Sequence, residues 1–215
     1  MVVYVALLPA LTGIYGITYL VYLLLMKKVA VVKQFLLIVV VLSLSFHALA
    51  IGAGMAYPTE DPFLWRIGVF FLGSAMISTL YFTTQRIRSI QEADGLFILI
   101  FLLSTTGGIL GIKGTVEYGG IMLPEFNPQF FAIFVVFGGI AAAVNLYNLI
   151  IARIATRGKK RYRKKLRYLE IGVFTIFLYF FLDAFFLFTG IKMIPLTAAL
   201  TPVSIVSIGF FIAKE

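Results

Sequence analysis

The chain contains no cysteine and a single histidine among its 215 residues. The missing cysteines exclude disulfides, thiolate metal sites, iron–sulfur clusters and cysteine nucleophiles. The single histidine excludes a haem held by two histidines and any metal site built from several. Charged residues are also scarce, at 13% of the chain, whereas an average soluble domain carries about 25%. An ordinary soluble domain is therefore excluded.

Apolar residues dominate instead, at 61% of the chain, and the mean hydropathy is +1.05. A helix that spans a hydrocarbon core of ~30 Å needs about 20 predominantly apolar residues. Runs near that length predict helices at 2–26, 35–57, 63–85, 95–112, 128–152, 171–190 and 193–213. The predicted fold is all-α, a single polytopic transmembrane bundle of seven helices that occupies residues 1–215.

Lysine and arginine are unevenly distributed over the predicted connections. Fifteen of the eighteen lie in the first, third and fifth connections or after the last helix. Basic residues that flank a span tend to stay in the cytoplasm. This distribution predicts an outside N-terminus and a cytoplasmic C-terminus, in the plasma (cytoplasmic) membrane. The net charge of +9 is then explained by orientation, and no nucleic-acid partner is expected.

Two ionisable side chains lie inside predicted spans, His47 in the second and Asp183 in the sixth. Each costs at least ~2.5 kcal/mol in hydrocarbon, so each is a functional-site hypothesis. At ~1.5 Å of rise per residue, both fall in the outer half, at the depth of Thr201 and Ser204. These four residues predict a polar pocket for a small ligand or a proton, because an unperturbed histidine titrates near ~6.5. The alternative is that they only fix helix packing.

A second polar layer is predicted nearer the cytoplasm. Gly138, Ala142, Asn145 and Asn148 fall on one face of the fifth helix. Two amides would be unsatisfied against lipid, so this inner polar stripe must face another helix or an aqueous path. Gln85 of the third helix is a predicted partner, although stripes of small residues mostly serve packing.

The fifth connection carries a basic cluster. Such clusters bind anionic lipid headgroups at about 1 kcal/mol per charge. The alternative is a docking surface for an acidic cytoplasmic signalling protein. The predicted surface comprises Arg157, Lys159, Lys160, Arg161, Arg163, Lys164, Lys165 and Arg167.

Three further features lie in the outer part of the predicted bundle, away from the basic connection. Residues 113–127 are predicted to form the longest external loop, either a ligand-contacting lid or a plain connector. Tyr57 and Trp65 are predicted to be aromatic anchors at the membrane interface. The repeat of Ala48, Gly52 and Ala56 permits close helix approach, including approach between the subunits of a homo-oligomer.

No predicted span holds paired carboxylates, and neither an HExxH motif nor a Gly-x-Ser-x-Gly elbow is present, so neither an enzyme nor a cofactor is expected. In helix number, orientation and cytoplasmic C-terminal exit, the chain resembles the seven-helix membrane sensor regions of prokaryotic histidine kinases and related receptors. This resemblance implies a sensor of a small ligand or of pH that signals through a cytoplasmic partner. The alternatives are a small-solute or ion transporter or channel, and an accessory subunit of a larger membrane complex.

Overall fold

The computed structural model describes residues 2–26, 29, 31–57, 61–89, 94–189 and 199–213. Within them, six helices are long and apolar enough to cross a membrane, and the shorter last helix is also apolar. The predicted helical bundle is confirmed. Its helices are α1 (Val2–Met26), α2 (Val31–Ala56), α3 (Phe63–Phe82, continued by a π-helical segment, Thr83–Ile87), α4 (Asp94–Gly111), α5 (Pro128–Ala155), α6 (Lys160–Thr189) and α7 (Leu200–Ala213).

Helix α2 lies at the centre of the bundle. It packs along α1 on one side and α3 on the other, while α4 pairs with α5 and α6 pairs with α7. Helix α7 also contacts α1 and α2, which closes the bundle. The most apolar part of α2 is correspondingly the most deeply buried of the six candidate spans.

Small residues bring α1 and α2 together. A Cβ atom on Gly52 would lie 2.7 Å from the backbone nitrogen of Ala10, closer than real Cβ contacts occur. Ala48 is buried, whereas Ala56 is exposed. The close approach predicted for this stripe therefore occurs inside the chain, against α1.

Helix α6 begins at Lys160 rather than at the predicted residue 171, and α5 continues to Ala155. The predicted basic connection, residues 153–170, is therefore wrong. It reduces to a turn at 156–159, in which Gly158 has φ +93°. Hydropathy detects only the part of a helix that lies in hydrocarbon, whereas lysine and arginine are good helix formers in water. The start predicted for the last helix, at 193, lies outside the described residues.

Residues 113–127 form a β-hairpin, so the predicted loop is also wrong. Strands β1 (Ile112–Tyr118) and β2 (Ile121–Phe126) pair antiparallel, with Tyr118 opposite Ile121. Gly119 and Gly120 connect them with φ of +57° and +83°. Positive φ at both turn positions is what a two-residue hairpin of type I′ requires, and glycine adopts it without a steric cost.

Candidate functional site

His47 joins three helices near the hairpin end of the bundle. It is buried in α2; its Nδ1 lies 2.8 Å from the carbonyl oxygen of Gly68 in α3, and its Nε2 lies 2.8 Å from the hydroxyl of Tyr179 in α6. A carbonyl oxygen can only accept, so Nδ1 carries a hydrogen and donates it to Gly68. In a neutral imidazole with its hydrogen on Nδ1, Nε2 has no hydrogen and accepts a hydrogen bond from the Tyr179 hydroxyl.

Asp183 completes this arrangement from one turn further along α6. Its carboxylate lies beside the same Tyr179 hydroxyl and interacts with it. We call these three side chains the outer hydrogen-bond chain. Within it, a tyrosine hydroxyl with a single hydrogen to donate lies between His47 and Asp183.

A small cavity of about 40 Å³ adjoins this hydrogen-bond chain. A buried water needs at least ~10–15 Å³ of such volume, so the cavity admits water or a small ion rather than an organic ligand. Five of the thirteen lining residues are phenylalanine or tryptophan. The cavity lining consists of His47, Ile51, Trp65, Val69, Leu72, Ile112, Pro124, Phe126, Phe131, Phe134, Phe180, Asp183 and Ala184.

The hairpin covers the cavity. Ile112 and Leu123 are almost completely buried against the helices, and the ring of Phe126 packs edge-on against Phe131 at 4.6 Å between centroids. The guanidinium of Arg66 in α3 donates from Nη2 to the carbonyl oxygen of Ile112 at 2.9 Å. Segment 112–126 is thus a fixed lid whose first residue is held by a charge-assisted hydrogen bond.

Replacing Arg66 with methionine is expected to loosen this lid. A hydrogen bond to a charged group contributes about 1.5–3 kcal/mol, which corresponds to roughly tenfold or more in the opening equilibrium. Amide hydrogens of β1 and β2 should therefore exchange at least about tenfold faster in nanodiscs. Arg86→Met, at an exposed arginine of the opposite end, is the matched control. Equal exchange rates in the two variants would contradict the anchoring role of Arg66.

The structure separates the four residues of the predicted outer pocket into two groups. His47 and Asp183 meet through Tyr179 and line the cavity, whereas Thr201 and Ser204 are buried on α7 outside its lining. The Ser204 hydroxyl lies 3.4 Å from the carbonyl oxygen of Leu200 in its own helix. The last two residues thus belong to the packing face of α7.

Sequence reasoning missed Tyr179 and misassigned Trp65. Tyr179 precedes Asp183 by four residues, which places both on one face of α6, and that spacing was the available signal. Trp65 is 4% exposed, its indole packs on Gly54 of α2, and it lines the cavity. Its predicted role as an interfacial anchor is therefore wrong, whereas Tyr57 is exposed.

The inner polar stripe faces the π-helical segment of α3. Asn145 and Asn148 are fully buried. The hydroxyl of Thr83 lies 2.8 Å from Asn145 Oδ1, and Asn148 Nδ2 donates to the hydroxyls of Thr83 and Thr84 at 3.3 and 2.9 Å. Arg88 Nη1 reaches Asn148 Oδ1 at 3.5 Å. These contacts form a connected polar network between α3 and α5.

Gln85 does not join that network. Its side-chain amide donates to Asp94 Oδ1 at 2.7 Å, at the start of α4. A π-helix advances by more residues per turn than an α-helix, so residues after Phe82 are rotated relative to an α-helical projection. This rotation directs Thr83 and Thr84, rather than Gln85, towards the asparagines.

The predicted basic surface surrounds the start of α6. Its members are exposed except for Lys165, which is partly buried. Arg157 and Lys159 lie on the turn after α5, and the other residues occupy the first two turns of α6 (Lys160, Arg161, Arg163, Lys164, Lys165 and Arg167).

No family model, curated protein or solved structure matches the chain.

Proposed function

We propose that this chain is a seven-helix membrane sensor whose input is protonation of the His47–Tyr179–Asp183 chain. The observation that supports this proposal is the Tyr179 hydroxyl, which lies between two groups that both accept hydrogen bonds in their ordinary neutral-pH forms. The output is an altered position of α6, which a cytoplasmic partner reads at its basic end.

A count of hydrogens explains why this chain responds to protons. Nδ1 of His47 donates its hydrogen to Gly68. When the imidazole is neutral and Asp183 is ionised, Nε2 of His47 and the Asp183 carboxylate are both acceptors. The single hydroxyl hydrogen of Tyr179 can then bond to only one of them. One additional proton, on either His47 or Asp183, supplies the missing donor and satisfies both contacts. The state in which Tyr179 contacts both His47 and Asp183 therefore holds one proton more than the state in which one contact is lost. Rising pH removes that proton and so weakens the link between α2 and α6.

Helix α6 supplies the connection from input to output. It runs without interruption from Lys160 to Thr189 and carries Tyr179, Asp183 and most of the basic surface. A continuous helix transmits a shift at one end to the other more directly than a loop does. The described lining of the cavity contains no further ionisable group, and Arg66 contacts that lining from outside through Ile112.

The packing between the two polar layers favours a sensor over a channel. Phe180 and Met76 fill the space against Gly138, and the ring of Phe180 packs edge-on against Phe134 at 4.9 Å between centroids. This apolar layer separates the outer hydrogen-bond chain from the inner network. The small cavity likewise suits a proton better than a transported solute.

Trp65 provides a direct test, because it is the only tryptophan of the chain and lines the cavity. In nanodiscs, its emission should show one transition between about pH 4 and pH 9, around the range where histidine titrates. Asp183→Asn supplies an amide donor to Tyr179 and should hold the acid-like emission throughout. Tyr179→Phe removes the bridging hydroxyl and should hold the alkaline-like emission throughout.

Asp94→Asn is the matched control, since it makes the same substitution at an exposed aspartate of the other end. It should retain the wild-type transition. A transition that persists unchanged in Asp183→Asn and Tyr179→Phe would refute the proposed input. Proton or solute flux in proteoliposomes that Tyr179→Phe abolishes would instead identify a transporter.

A further inference from the structure

A basic cleft lies at the end opposite the hairpin, between the start of α6 and the end of α7. It has a volume of about 810 Å³. Five of its seven lining residues are basic and none is acidic. The lining consists of Lys159, Lys160, Arg161, Tyr162, Lys164, Lys165 and Ala213.

Packing between α6 and α7 holds this cleft in shape. The Lys165 ammonium lies 5.0 Å from the centre of the Phe211 ring, a cation–π distance. One turn inward, the rings of Tyr168 and Phe210 are 5.5 Å apart. Leu166 is buried beneath them. The concave basic surface is therefore a defined feature of the fold rather than a set of independent side chains.

The cleft has an electrostatic preference for an anion of more than one charge. The cleft also contains the N-terminal turn of α6, where unpaired backbone N–H groups add a partial positive charge. No acidic residue occupies that turn.

The position of the cleft identifies the source of the anion. Helix α6 is 30 residues long, about 45 Å, which exceeds the ~30 Å hydrocarbon core of a bilayer. Its basic N-terminal turns must extend into the headgroup layer. Below the cleft, Phe210 is 44% exposed on α7, as expected for a side chain that contacts an acyl chain.

We infer that this cleft binds the headgroup of one anionic phospholipid, with a preference for a phosphomonoester such as that of phosphatidic acid. The lysines surround the phosphate, and an acyl chain lies along the exposed face of Phe210. This site is independent of the outer hydrogen-bond chain, and it places a bound lipid on the helix that carries the proposed output.

Two matched pairs of substitutions test this inference on the full chain. Lys160→Gln with Lys164→Gln removes two charges from the cleft lining. Arg163→Gln with Arg167→Gln removes two charges from the same stretch of α6, also four residues apart, but outside the lining. Native mass spectrometry in neutral detergent would count the bound lipids during titration with phosphatidic acid or phosphatidylcholine.

We expect one tightly bound phosphatidic acid per wild-type chain and no comparable binding of phosphatidylcholine. If lipid binding reflected only general attraction to a positive surface, removal of any one basic residue would lower the affinity for phosphatidic acid by about fivefold, wherever that residue lies. Both pairs would then lose affinity equally, and that result would overturn the inference. We expect the cleft pair to lose at least about tenfold more than the control pair.

An excess of inorganic phosphate distinguishes a lipid site from a site for free phosphate. Retention of the bound lipid supports the inference, and its displacement by millimolar phosphate overturns the assignment to a lipid. The emission of Trp65 should keep its pH dependence in both pairs, so failure of the lipid site and failure of the proposed sensor are distinguishable.

Discussion

Gly138→Ala is expected to destabilise the bundle by about 1–3 kcal/mol, the usual cost of overpacking a well-packed core. A Cβ atom there would overlap Cζ of Phe180 and would lie 3.1 Å from Cε of Met76. The Phe180 ring cannot move aside easily, because it is 1% exposed and packs edge-on against both Phe134 and Phe181. Helix α5 would therefore have to move away from Phe180 and Met76, which would open the apolar layer between the two polar layers.

The neighbouring glycine provides the control for this prediction. A Cβ atom on Gly139 would meet Cζ of Phe181 at 3.9 Å, an ordinary van der Waals contact. Both substitutions gain the same helix propensity of about 1 kcal/mol, so the difference between them isolates packing. Unfolding in mixed micelles should show Gly139→Ala as stable as wild type or more so. Equal stability of the two variants would show that the layer between the polar sites is loosely packed.

Asn148→Leu is expected to destabilise the bundle by about 1–3 kcal/mol, because it leaves buried polar groups without their partner. The substitution preserves most of the volume but removes both donors to Thr83 and Thr84 and the acceptor for Arg88. The threonine hydroxyls can recover part of the loss by bonding to their own helix, as Thr83 does to the carbonyl oxygen of Leu80 at 3.1 Å.

This substitution should also have a local effect on the π-helical segment Thr83–Ile87. A π-helical segment is rare and occurs mostly as a single turn inside an α-helix. We expect the contacts of Asn148 with Thr83 and Thr84 to stabilise this one. Amide exchange should therefore accelerate at 83–87 more than elsewhere in α3. Ser74→Ala is the control, because the Ser74 hydroxyl donates to the carbonyl oxygen of Phe70 in its own helix. Unchanged exchange at 83–87 in Asn148→Leu would show that the segment does not depend on the network.

The spans could be predicted closely because hydrocarbon thickness acts on each segment separately. Helix α4, predicted at 95–112 and observed at Asp94–Gly111, is an example. Errors arose in the polar segments that flank the apolar runs. Averaged hydropathy does not register the Gly119–Gly120 turn as a hairpin signal, and it stops short of the charged first turns of α6, which are helical. The outside position of the N-terminus and the choice of membrane stay predictions from charge.

The candidate site was only partly predictable, for a different reason. The cost of burying a charge marks His47 and Asp183 individually. Their connection depends on Tyr179, which is 132 residues from His47 and lies within a run of aromatic residues. No local pattern distinguishes this tyrosine from the phenylalanines that pack around it.

The sequence by itself therefore determined which segments are apolar enough to span a membrane, which side chains are costly to bury there and where positive charge accumulates. These properties depend on individual residues and their near neighbours. Only the tertiary structure decided that His47 and Asp183 share one hydroxyl, that Asn148 faces Thr83 and Thr84, and that α6 and α7 enclose a basic cleft. Each of these depends on the relative rotation and depth of helices distant in the chain, which packing of side chains against each other sets.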